Sequence, residues 1–576
     1  MRSVKQSIAF LLGLSMLSAC ATAPRQGPGE GNETSAVAVN PELILPDVEL
    51  TPDILNDLLV AEIALQRNRF DTAASAYRLL AKETQDPRIA ERATRIALNA
   101  RDYKAAAEAA RLWMALAPQD VEGRQILTML LVKSGDQDAA VRALEEVLAS
   151  RPGMSENERY LMIIRLLGRG QDKQVAMDVV GVFLERHPGD AAALFAYSQL
   201  ALRAGKLDAA EAAVDELLKS KPDWTQAIIL RTRLLQTTNR QTQAIEYLGS
   251  MVAKYRQDTK LRVAYGRMLV DAEKLKEALE QFEAVLKAAP DNTDILFASG
   301  LVALRLDRLD DAKKYFLRLN RESVRVNETS YYLGLIEEER QNYERAMYWY
   351  SAVSRGENYL NAQIRNALLQ ARTGDVDGAR AHLGAVQARD PRQRLRLYLV
   401  EGEILRDIAL YDDAKQVYNR ALEEVPANTE LLYARAMVAE KLGQIDSLER
   451  DLLAILEREP DHVDALNSLG FTLADRTNRY DEAFAYIKRA LELRPDAAYI
   501  MDSMGWVYYR LGKMNKALDY LRRALALNQD AEIAAHLGEV LWVTGDRERA
   551  RETWDRALEL APKSAILLNT IKRMSE

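Results

Sequence analysis

Residues 498–524 read AYIMDSMGWVYYRLGKMNKALDYLRRA. The apolar spacing on either side of Gly512-Lys513 predicts two short amphipathic helices joined by a tight turn. Helix backbones come close only where no bulky side chain stands between them. Gly505 and Ala517 therefore mark the predicted crossing of the two helices, and Ala524 the place where the second meets its next neighbour.

The same pattern recurs from about Ile54 to the end of the chain. Prolines at 87, 118, 152, 188, 222, 290, 391, 426, 460, 495 and 562 are spaced by 31 to 36 residues or by near-multiples of 34. Proline cannot continue a helix but suits a first turn, so each is expected to close one unit and open the next. Counted from these marks, units start near 54, 87, 121, 157, 191, 225, 259, 293, 327, 360, 395, 429, 463, 498 and 531, which makes fifteen helix pairs. Glycine fills the first-helix small position at 266, 300, 334, 402, 470, 505 and 538. Alanine fills the second-helix position at 278, 346, 414, 483, 517 and 550. Aromatics follow four residues after the alanine in Tyr77, Phe282, Phe316, Tyr350, Tyr418 and Trp554.

This combination resembles the tetratricopeptide repeat, a helix-turn-helix unit of 34 residues. The resemblance implies an all-α fold of helical hairpins stacked into a right-handed superhelical solenoid over residues 51–564. A capping helix over 565–576 is expected to bury Leu567, Leu568 and Ile571 on one face. Units near 87 and 157 have irregular lengths, and Leu448 replaces alanine in the unit at 429, so these three read as degenerate.

A chain of 576 residues with 48% hydrophobic and 7% aromatic residues suits stacked helices with a continuous core. Arg2 and Lys5, the apolar run Ile8 to Leu17, and Leu17-Ser-Ala-Cys20 form an N-terminal processing signal over residues 1–19, too short to span a bilayer. The tetrad resembles a bacterial lipobox, which implies cleavage before Cys20 and lipidation of that cysteine; the other reading is an ordinary secretory signal with a chance cysteine. Cys20 is the only cysteine, so internal disulfides are excluded. Ala21 in place of an aspartate implies sorting to the outer membrane, facing the periplasm. Residues 20–50, with Pro24, Gly27, Pro28, Gly29 and Gly31, read as a disordered tether. The net charge of −7, with both signs interspersed, gives no footprint for nucleic acid.

Enzymatic chemistry needs converging residues, and the sequence supplies none. His187, His382, His462 and His536 fall in four separate units, and no metalloprotease, nucleophile-elbow or phosphate-loop motif is present. Asp461-His462 with Asp464 reads as a solvated turn before it reads as a metal corner. No cofactor and no metal are expected.

Binding is the positive expectation. By analogy with the repeat family, the second, fifth, ninth and twelfth residues of each unit face a groove lined by first helices. In the last three units these include Asn467, Phe471, Tyr499, Asp502, Trp506, Tyr509, Glu539 and Trp542. Trp506 is expected to stand in the groove as an exposed anchor, whereas Tyr509 and Trp542 serve equally well as packing between units. The Lys/Asn/Arg clamp with which chaperone-binding relatives grip a terminal carboxylate does not occur as a group. A second surface is marked near Glu328, Tyr331, Tyr332, Glu337, Glu338, Glu339 and Arg340, where the acidic run reads as a solvated face or as a complement to a basic partner.

The lipobox, short tether and long array, with Asn467-Ser-Leu-Gly-Phe-Thr-Leu-Ala-Asp-Arg and Asp502-Ser-Met-Gly-Trp, resemble a group of large tetratricopeptide envelope lipoproteins. They are similar in organisation to the lipoprotein partner of a carboxyl-terminal processing protease. That resemblance implies a non-catalytic adaptor that binds and activates a periplasmic protease and delivers peptidoglycan hydrolases to it. The alternative is a structural scaffold in an envelope export or assembly machine.

Overall fold

The computed structural model describes residues 46–167 and 173–576. The signal segment, Cys20 and the tether up to residue 45 lie outside the described residues. Among those described, the chain is helical and divides into two compact units, one ending at Tyr315 and one spanning Phe316–Glu576. The helix Leu309–Arg321 carries the division.

Each unit is a series of antiparallel helix pairs in which a helix packs on its own partner and on the next pair. First helices begin at or within two residues of the positions given by the proline spacing, except one: the helix expected near 395 starts at Pro391. The pairs Pro87–Asn99 with Tyr103–Leu116, and Thr429–Lys441 with Ile445–Arg458, are regular hairpins despite their irregular signatures. Leu448 is wholly buried where other units have alanine.

Prolines do their work differently from the expectation. Among the described residues, only Pro52, Pro87 and Pro391 occupy the first turn of a helix. Pro118, Pro290, Pro426 and Pro460 instead follow the C-cap residue of a second helix and precede the next N-cap by two. Those C-cap residues leave the helical region, at φ near −130° and ψ near 70–80°, because a following proline ring disfavours the α conformation. The chain then turns onto a polar N-cap: Asp120 accepts from Gly123 N at 3.0 Å, and Asn428 from Leu431 N at 3.0 Å. Within a pair, the sharp reversal uses the left-handed region. At Gly512 (φ +73°) the Lys513 amide donates back to Tyr508 O at 2.8 Å, which closes the helix end.

The fit between the two helices of a pair is tight at the glycine. A Cβ on Gly505 would meet Leu521 Cγ at 2.6 Å, with the Ala517 carbonyl at 3.2 Å. At Gly266, Gly334, Gly402 and Gly538 the obstacle is an aromatic ring sixteen residues later: Phe282, Tyr350, Tyr418 and Trp554. In the second unit, most buried side chains between Leu405 and Leu567 form one large cluster, with Met501, Ala524 and Ile533 in a small separate one.

Two neighbouring second helices are shortened. Tyr343–Ser351 has 9 residues and Val376–Ala385 has 10, against 14 in the later second helices of this unit. The connector after Ser351 is pinned by Asn327, whose Oδ1 accepts from the Ser354 and Arg355 amides at 2.8 and 3.2 Å. The one after Ala385 is extended from Val386 and ends at pre-proline Asp390 (φ −152°, ψ 165°). The following helix, Pro391–Asp407, is correspondingly long at 17 residues.

The terminal helix Ala565–Ser575 packs through Leu567, Thr570, Ile571 and Met574. Leu568, expected on that face, is 46% exposed, because a spacing of three and four residues from Leu567 selects Thr570 and Ile571 instead.

The interlock at Gly334 is testable. Gly334→Ala would drive a methyl into the wholly buried Tyr350 ring, whose hydroxyl is held by Glu338 at 2.6 Å. A loss of about 1–3 kcal/mol in urea unfolding is expected, and an unchanged midpoint would show the ring free to move aside.

Candidate protein-binding groove

First helices of four successive pairs lie side by side in the second unit: Thr429–Lys441, Val463–Arg476, Ala498–Arg510 and Ala531–Val543. They enclose a cavity of about 150 Å³ lined by Met437, Glu440, Asn467, Ser468, Phe471, Thr472, Tyr499, Asp502, Ser503 and Glu532. Four residues picked out in the sequence, Asn467, Phe471, Tyr499 and Asp502, thus share one site. The same position rule applied one unit earlier gives Met437 and Glu440, and at the start of the last unit it gives Glu532.

Beneath the cavity lies a buried ion pair between repeats. Asp502 is 5% exposed and His536 7%, and the carboxylate oxygens stand 3.0 and 2.9 Å from His536 Nδ1. Burial alone pushes the imidazole toward its neutral form. The Asp502 carboxylate, with Glu532 and Glu539, outweighs it and raises the pKa above the usual histidine value. The ring stacks on Trp506 (centroids 4.3 Å, 28°), with Phe471 at 5.8 Å on the cavity side. His536 follows Asp502 by 34 residues, one repeat period, and that spacing is the signal by which the pair could have been read.

Trp506 is therefore not an exposed anchor. It is 5% exposed, sandwiched between repeats, and its indole Nε1 donates to Asp475 at 3.3 Å. At the ninth position Trp506 and Glu539 are buried against the next first helix, whereas Met437 and Phe471 stay partly exposed in the recess. Tyr509 is half-buried beside Trp506 and donates to Glu539, which is 3% exposed and paired with Arg573 of the terminal helix. Trp542 stacks on Trp554 at 5.6 Å, and the Arg547 and Arg551 guanidiniums lie over its ring. Trp506, Tyr509, Glu539 and Trp542 thus hold the wall together behind and beyond the cavity. Tyr499, 41% exposed, stands at the rim and donates to Asp464 at 2.8 Å.

The second surface is largely internal. Tyr331, Tyr332 and Glu337 are buried, at 2%, 8% and 1% exposure. Glu338 takes the Arg365 guanidinium at 3.0 Å on both oxygens, so Glu337 and Glu338 are held within the fold while Glu339 alone of the run stands exposed. At the other suspected corner, His462 Nδ1 accepts from Ala465 N at 3.1 Å and caps its helix, while Asp461 pairs with Arg489.

The family follows from comparison with known proteins. Tetratricopeptide-repeat models match residues 180–234, 263–323, 461–530 and 503–565. The chain is 33% identical over 542 residues to the TPR repeat-containing protein PA4667 of Pseudomonas aeruginosa, covering 93% of this chain and 91% of that one. The chain belongs to the tetratricopeptide-repeat proteins. Over 178 residues it is 26% identical to the human protein O-mannosyl-transferase TMTC1, which covers 30% of this chain and 20% of that protein. Among solved structures, a tetratricopeptide protein of Thermus thermophilus shares 28% identity over 31% of this chain and 96% of its own, with a TM-score of 0.29. Tetratricopeptide repeats generally serve as scaffolds for protein–protein interaction, and the fold is typically non-catalytic.

Two outcomes are expected from the wall. Trp506→Ala should cost about 3–5 kcal/mol in urea unfolding, and a small effect would mean that the indole is not packed as described. The His536–Asp502 pair should stabilise fully below about pH 6.5, the free-histidine value, and fade as pH rises through the raised pKa of the folded state. The gap in melting temperature between the parent and His536→Asn should therefore narrow from pH 6 to pH 9; a constant gap would contradict a charged pair.

Proposed function

We propose that this chain is a non-catalytic scaffold that binds segments of partner proteins along its first-helix wall. The observation that carries the reading is the cavity shared by Asn467, Phe471, Tyr499 and Asp502. These positions come from two successive repeats, and with Met437, Glu440 and Glu532 of the flanking repeats they form a single recess. A recess of about 150 Å³ is below the range of roughly 300–1,000 Å³ usual for small-molecule sites, and it suits one side chain of a longer segment.

In this reading Cys20 is lipidated and the array faces the periplasm from the outer membrane. The partners are a carboxyl-terminal processing protease and the peptidoglycan hydrolases it degrades. An anchored scaffold with separate sites for protease and substrate acts by proximity, raising their effective mutual concentration to the millimolar range. The lipobox-like Leu17-Ser-Ala-Cys20 supports the anchor, and the whole-length similarity to another tetratricopeptide protein supports an array acting as one binding protein.

The test is mild crosslinking of the envelope followed by purification of the parent and of Ser468→Trp, which fills the recess. The parent is expected to bring down a serine protease and cell-wall hydrolases, with at least one lost from the variant. Recovery of secretin, exporter or assembly-complex subunits would replace the protease reading with the structural-scaffold one. Identical partners in both proteins would overturn the groove.

A further inference from the structure

We propose that the recess between the last repeats is a pocket for one basic side chain, lysine or arginine, of a partner's polypeptide segment. This deepens the groove reading above and rests on it.

The lining is rich in acceptors. Glu440, Asp502 and Glu532 contribute carboxylates, Ser468, Thr472 and Ser503 hydroxyls, and Asn467 an amide, while no lysine, arginine or histidine lines the cavity. Met437, Phe471 and Tyr499 supply apolar wall for an aliphatic stem and a ring face for a cationic head. The cations that approach do so from outside. Lys441 lies 3.8 Å from Glu440 and is 56% exposed; Arg494 lies 3.8 Å from Asp464 at the rim and is also 56% exposed. His536 neutralises Asp502 from beneath. Glu532 is left without an ion pair. Glu532 stands exposed at the edge of the recess, close to Asp502 and Asp530.

An independent observation comes from the pocket wall. Asn467 Oδ1 is shielded from solvent and has no hydrogen-bond partner. A buried acceptor without a donor costs about 1–3 kcal/mol, which an ammonium or guanidinium that reaches it from the recess would recover. The volume, the carboxylates without a lining cation, the apolar stem wall and the orphaned acceptor describe one occupant. It is a long side chain with a donor-bearing, positively charged end.

The test uses the full mature chain and fluorescein-labelled nonapeptide pools, degenerate except for a fixed central arginine, lysine, citrulline, norleucine or glutamate. Citrulline keeps the shape of arginine without its charge. The arginine and lysine pools are expected to bind about fivefold tighter than the citrulline and norleucine pools, with glutamate weakest. The preference should fall toward unity in Glu440→Gln/Glu532→Gln, whose rim positions lie outside the core. It should also fall on going from about 50 to about 500 mM sodium chloride. Equal binding of charged and neutral pools, no binding of any pool, or a preference that survives in the double variant overturns the pocket. If the preference is absent while Ser468→Trp still loses its partner, this inference falls and the groove reading stands. If Ser468→Trp also keeps every partner, both fall.

Discussion

The structure depends on how near two helices of a pair are allowed to come. Glycine in the first helix and alanine in the second remove the side chains that would hold the backbones apart. A ring or a branched aliphatic chain from the second helix then fills the space above the glycine. The contact is specific because both sides are needed: without the glycine the ring has no seat, and without the ring the glycine leaves a void. Repetition of this interlock sets the pair geometry, and the pair geometry sets where every first helix stands.

Once the first helices are placed, their side chains divide by role. Some become packing between neighbouring first helices, as Trp506 and Glu539 do, Asp502 bridges to the next helix through His536, and others such as Asn467 and Phe471 surround open space. The His536–Asp502 pair illustrates the energetic side. Two ionisable groups are buried together at a repeat junction, and each is tolerable there only because of the other. The wall is thus rigid behind and polar in front, an arrangement suited to recognising a segment without rearranging.

Periodicity made the fold legible, since glycine, alanine, aromatic and proline marks recur at one spacing and report one local constraint. What the prolines do was less legible: the spacing located the unit junctions, but only cap geometry shows that most prolines sit in the turn before the N-cap. Position within the repeat pointed to the wall, yet exposure depends on neighbours that one repeat does not reveal. This is why Trp506 lies inside and why Glu337, in an acidic run that looks solvated, is buried near the Glu338–Arg365 pair. Leu568 shows the same limit on a smaller scale, where adjacent apolar residues on a helix cannot share one face. The shortened helices carried no mark at all, because their lost turns are set by connector chemistry at Asn327 and Pro391 rather than by the repeat.

Those shortened helices have a mechanical meaning. In a repeat array, cooperativity passes only between nearest neighbours, so coupling along the chain is no stronger than its thinnest junction. Where Val376–Ala385 stops early, the outer layer offers less surface to the following pair. The following helix meets both helices of the earlier pair, each only lightly. Strain applied along the second unit concentrates at that seam, leaving the pairs that carry the basic-residue recess to respond as a block.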